Sequence, residues 1–155
     1  MTDSAQFTVV ESKITFKLEG MISRGRNVSA YLNRVLMQKF KNAQQERFQT
    51  SNASQQGVWE PLNPTYLKRR MKKWPGSGDA ILVRTGKLAR GAQALDPSYF
   101  YKVVNDDQFI VGINRSAVPY SIYPGRRRPF MSFTAQTLND WHDGIKNYVF
   151  RGEAA

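Results

Sequence analysis

Apolar and polar residues alternate at the start of the chain, in Phe7-Thr8-Val9-Val10 and Ile14-Thr15-Phe16-Lys17-Leu18. A period of two sends successive side chains to opposite faces of a strand, so these runs predict half-buried β structure, ended by Gly20. The period then changes. Val28, Tyr31, Leu32, Val35, Leu36, Phe40 and Ala43 recur at helical spacing and draw one apolar stripe. They predict a long core helix capped by Asn27 and running to about Phe48. Arg34, Lys39, Lys41, Gln44 and Gln45 are expected mostly off that stripe.

The polar run at 49–57 and the Pro/Gly-rich 74–79 read as flexible loops. Between them, Asn63-Pro64 predicts a second helix, with a capping side chain followed by proline at the first helical position. Pro75-Gly76-Ser77-Gly78 ends it. Thr85 is expected to cap a third, short helix through Arg90, after the apolar Ala80-Ile81-Leu82-Val83. Tyr99–Val104 and Gln108–Ile113 form a β-hairpin around Asn105-Asp106-Asp107. Residues Tyr120 to Tyr123 are a strand or an irregular segment, and Pro124 to Pro129 a basic turn. Thr134 caps a last helix whose apolar face is Leu138, Trp141, Ile145, Tyr148 and Val149. This order predicts one α+β domain over 1–155: an antiparallel sheet packed by one long helix, with short helices and a C-terminal helix.

Charge changes the picture more than composition does. The formal net charge is +11, and the excess is central. Over 51–98, Lys68, Arg69, Arg70, Lys72, Lys73, Arg84, Lys87 and Arg90 outweigh Glu60, Asp79 and Asp96. Such a field attracts polyanions, whether nucleic acid, anionic membrane or an acidic protein surface. With no cysteine, disulfide scaffolds, thiolate metal sites and cysteine nucleophiles are excluded, and a reducing compartment fits. The polar first residues lack the order of a signal peptide, and no apolar run is long enough to span a bilayer, so no membrane association is expected.

Candidate chemistry is sparse. His142 is the single histidine, and its neighbours Asp140 and Asp143 are not spaced as metal ligands with it, so it reads as a surface residue. No nucleophile elbow accompanies it. Arg84-Thr85-Gly86-Lys87 lacks the leading glycine and spacing of a phosphate loop. No nucleophile, base and orienter can be assembled, so no enzymatic activity, catalytic residue, metal or cofactor is expected.

Three segments in order resemble the phage virion morphogenesis, or tail-completion, family. Trp59-Glu60-Pro61-Leu62-Asn63-Pro64-Thr65-Tyr66-Leu67-Lys68-Arg69 is similar to its W-x-P-L-x-P stretch. Ile81-Leu82-Val83-Arg84-Thr85-Gly86-Lys87-Leu88 is similar to its I-L-x-x-T-G-x-L signature. Gly125-Arg126-Arg127-Arg128-Pro129-Phe130-Met131 resembles its R-P-F segment, and Gly112 with Tyr120 to Gly125 its V-G…Y-A-x-I-H run. The histidine of that last run is absent here, where Tyr120-Ser121-Ile122-Tyr123-Pro124 stands. The resemblance covers about residues 30 to 150. It implies a small virion protein at the neck, assembled in the host cytoplasm, that completes the tail and joins it to the head. It further implies a homo-oligomeric ring, a hexamer, as the state, with head-connector and tail-tube proteins as neighbours.

Each motif has two readings. Trp59 and Leu62 form an apolar anchor, for a neighbouring subunit or for one end of the core. Arg126, Arg127 and Arg128, beside Tyr120 and Tyr123, are the better candidates for a subunit or partner interface, because a guanidinium fork grips phosphate or carboxylate in fixed geometry. Lys68, Arg69, Arg70, Lys72 and Lys73, extended by Arg84, Lys87 and Arg90, are candidate contacts to packaged DNA or an acidic partner, or a solvated surface. A ring through which DNA slides should not grip phosphates, which favours protein contacts for the arginine turn. The alternative to the ring is a basic nucleic-acid-binding module using Tyr99, Phe100 and Tyr101 for stacking.

Overall fold

The computed structural model describes residues 4–10, 13–19, 28–55, 57–83, 85–105, 108–121 and 127–151. The fold is α+β with an antiparallel sheet. Strands β1 (Ser4–Val10), β2 (Lys13–Glu19), β3 (Phe100–Val104) and β4 (Gln108–Ile113) lie in the order β1-β2-β4-β3. The N-terminal pair therefore joins the C-terminal hairpin through β2 and β4, with Ile14 opposite Val111. In the hairpin, Tyr101 stands opposite Gly112, whose missing side chain leaves room for the tyrosine ring: a Cβ there would lie 2.6 Å from it.

The long helix α1 is three joined pieces: Val28–Tyr31, a π-helical stretch Leu32–Leu36, and Met37–Gln49. The wider π turn takes up an extra residue, so the downstream face is rotated by about 100° relative to an unbroken α-helix. Its consequence is visible in what is buried. Leu32, Leu36, Phe40, Gln44 and Arg47 are all 0–1% exposed, whereas Ala43 is half-buried. The expectation that Gln44 lies off the core stripe is corrected by this rotation.

Helix α2 (Pro64–Lys73) begins as expected: Asn63 Oδ1 accepts from the amides of Thr65 at 2.9 Å and Tyr66 at 3.4 Å, and Pro64 needs no partner. Helix α3 (Lys87–Ala92) begins otherwise. Its N-cap is Gly86, left-handed at φ 74°, and no side chain caps it. Thr85 lies one residue too early, and its hydroxyl instead meets that of Tyr120 at 3.2 Å. Residues Pro119–Ser121 form a short 3-10 turn, so the part of 120–123 that is described is not a strand. Helix α4 (Ala135–Arg151) is capped by Thr134 Oγ1, which accepts from the Thr137 amide at 3.2 Å. The Asn27 cap and the Asp106-Asp107 turn lie outside the described residues.

One cluster of buried side chains draws on the sheet (Ile14, Phe109, Val111, Ile113), on α1, on α3 and on α4. Aromatic contacts fix α1 against α4. Tyr31 stacks on Tyr148 at 4.7 Å, and Phe40 packs edge-on to Phe133, which leans on Trp141 at 4.7 Å.

Candidate functional site

The three segments singled out in the sequence meet in space. Trp59 is buried at 4% exposure. Its ring meets Phe48 edge-on at 5.3 Å, and its indole N–H donates to Pro129 O at 3.2 Å. Of the two readings of Trp59, the structure gives the core. Arg128, half-buried, donates through Nε to Glu60 O at 3.0 Å and through Nη2 to Pro61 O at 3.4 Å. The first and third segments are thus stitched side by side. Arg70, the residue after the first segment, donates through Nη2 to Val83 O of the second at 3.1 Å, and the Thr85–Tyr120 contact ties the second to the turn before the third.

The far side of this seam is held by α1. Gln44 Nε2 donates to Phe130 O at 2.8 Å and lies 3.1 Å from Met131 Sδ. Arg47 donates through Nη2 to Ser132 O, and its guanidinium lies 4.6 Å from the centre of the Phe133 ring. Burial pushes the Arg47 guanidinium down to about 10, which leaves it charged at neutral pH. Its Nε and Nη1 make no hydrogen bond. Sequence reading missed both residues. The signal was their phase: 36, 40, 44 and 47 continue the stripe once one residue is inserted.

Residues 50–55 form successive turns rather than an open loop. Buried Asn52 donates to Gly57 O at 2.7 Å, and the Trp59 amide returns to Ser51 O at 2.8 Å, which aims the tryptophan inward. Leu62 and Tyr120 are half-buried, and Arg127 is exposed. Tyr123, Arg126 and Arg84 lie outside the described residues.

The basic helix resolves differently from its composition. Grouped with the cluster in the sequence, Arg70 is 2% exposed and turned inward, so in this fold it is a brace to Val83 and not a surface contact. Lys68, Arg69, Lys72 and Lys73 are exposed. At about 100° per residue they share one outward arc of about 140°, bordered by exposed Tyr66 and Met71. Lys73 Nζ also lies 4.8 Å from the centre of the Trp74 ring, and Lys87 and Arg90 lie over the Tyr99 ring at 5.9 and 5.4 Å. Tyr99, Phe100 and Tyr101 form no common stacking surface. Tyr99 lies under those cations, Phe100 packs against the core, and Tyr101 covers Gly112 on the other face of the hairpin.

His142 is half-buried, with Nδ1 3.8 Å from Asp143 Oδ1. Burial, helped by Lys146 and opposed by Asp143, lowers its pKa and favours the neutral ring. Among the described residues no group of His, Asp or Glu is arranged to hold a metal ion, and no helix is long and apolar enough to cross a membrane. Comparison with protein-family models, with curated protein sequences and with solved structures finds no match.

Proposed function

We propose that this chain is a phage virion structural protein that completes the tail and joins it to the head at the neck. It acts through assembly, as a ring of identical subunits set between head-connector and tail-tube proteins, and performs no catalysis. The observation that supports this most is the seam. Segments 59–69 and 125–131, which resemble that family in their order, hydrogen-bond to each other through Trp59 and Arg128, and segment 81–88 is tied in by two flanking residues, Arg70 to Val83 O and Tyr120 to Thr85. A motif set whose side chains serve packing and backbone carbonyls suits a scaffold. The reading keeps the whole chain as one domain, its sheet packed by α1. It uses exposed Arg127, with Arg126 beside it, for subunit contacts across a heterologous interface, the kind that closes into a ring.

The test is electron microscopy of purified virions labelled with an antibody against this chain. Label confined to the neck is the expected result. Intact, antibody-accessible particles that carry label elsewhere, or none, would overturn the reading.

A further inference from the structure

We propose that the outward face of α2 binds the phosphate backbone of double-stranded DNA without reading its sequence. This stands apart from the tail-completion reading, since it rests on one helix face and needs no ring.

Lys68 and Lys72 form one row along the helix, and Arg69 and Lys73 a second. Within each row the charges are about 6 Å apart along the axis, and like charges at this spacing destabilise a helix. The negative end of the helix dipole offsets this for Lys72 and Lys73, in the last turn. It does not reach Lys68 and Arg69. Among the described residues no carboxylate pairs with any of the four. The fold therefore holds four cations together on an exposed surface with no internal counter-charge, while the fifth, Arg70, is turned inward to tether the helix.

The composition of the face chooses among polyanions. Three of the four are lysines, which are depleted from protein–protein interfaces but serve phosphate as point charges. The single exposed arginine and the lack of Asn or Gln on the arc leave no side-chain set for reading base edges. Thr65, on the same arc, and Tyr66, at its border, carry hydroxyls of the kind that contact phosphate oxygens.

The experiment is binding of the purified full chain to a random-sequence DNA duplex across a salt series. Its two variants carry equal charge. One replaces Lys68→Ala, Arg69→Ala, Lys72→Ala and Lys73→Ala; the other replaces Arg34→Ala, Lys41→Ala, Arg115→Ala and Arg151→Ala elsewhere. Four phosphate contacts correspond to a slope of about −3.6 in log affinity against log salt, or roughly a 150-fold loss between 50 and 200 mM. The α2 variant is expected to lose that slope, while its melting temperature does not fall. The second variant is expected to keep most of it. Equal losses in both variants would show diffuse attraction by net charge and overturn the proposal. So would unchanged binding by the α2 variant, or displacement of the duplex by polyglutamate as readily as by unlabelled DNA, which would point to an acidic protein partner.

Discussion

Arg47 and Arg69 are the same residue type on two helices of one chain, and the fold uses them in opposite ways. Arg47 is wholly buried at the end of α1, with its charge set against a carbonyl and an aromatic face. Arg69 is exposed on α2 among three lysines. The difference comes from helix phase and not from local charge. The π turn at Leu32–Leu36 rotates Gln44 and Arg47 onto the core side, and no comparable irregularity reaches α2. A basic residue in this chain is therefore structural or available according to its angular position. The structural ones, Arg47, Arg70 and Arg128, each serve a backbone carbonyl of another segment, at Ser132, Val83 and Glu60.

The sharpest way to break the seam is at its largest buried ring. Trp59→Ala is expected to destabilise the protein by about 3–5 kcal/mol, read by urea denaturation. Trp59→Phe keeps an aromatic ring against Phe48 but loses the bond to Pro129 O and some buried ring volume, at about 2 kcal/mol. Equal costs would mean that the hydrogen bond, not the packing, joins the first and third segments.

Arg47 tests whether its charge or its bulk holds α1 to 130–133. Arg47→Ala removes a long packed stem and the donor to Ser132 O, with an expected loss of about 3 kcal/mol. Arg47→Met restores bulk without a buried charge whose Nε and Nη1 go unserved. It should recover at least about 1 kcal/mol of that loss, since apolar replacements of buried charges are commonly tolerated. A methionine variant as unstable as the alanine one would assign the seam to the cation itself.

These two sites also mark where the sequence stops being informative. The β runs, the Asn63-Pro64 start, the Thr134 cap and the α4 stripe follow from local rules, and the structure agrees with them. The hidden parts all depend on one residue of phase or on a distant partner. Nothing local marks the π turn, so Gln44 reads as off the stripe and Arg47 is passed over. Thr85 is a good capping residue, but Gly86 can take the left-handed geometry that starts α3, and Tyr120 claims the hydroxyl. Arg70 reads like its four basic neighbours until Val83 O, thirteen positions on, is known to lie against it. For the candidate site, the segments were legible as motifs; their meeting through side chain to carbonyl bonds was not.

Arg70 is the link between the two regions. Arg70→Ala is expected to cost about 2 kcal/mol, the loss of a charged hydrogen bond from a buried side chain. The effect should be local, because most of α2 is exposed. Hydrogen exchange should accelerate across 64–73 more than across α1 or α4. Uniform acceleration would show that α2 is part of the cooperative core.

The smallest change separates the charge of α2 from its shape. Pro64 brings no N–H, so the first free amides of α2 belong to Thr65 and Tyr66, and one atom, Asn63 Oδ1, serves both. Asn63→Ala should cost about 1 kcal/mol, and Asn63→Gly only a few tenths. Neither change alters the number of cations. If the two rows act because the helix holds them on one arc, Asn63→Ala should weaken DNA binding up to about fivefold, the equivalent of 1 kcal/mol, with the salt slope unchanged. If affinity is untouched while the amides of 64–67 exchange faster, a frayed first turn is tolerated, and the rows need only the C-terminal part of α2, which Arg70 anchors.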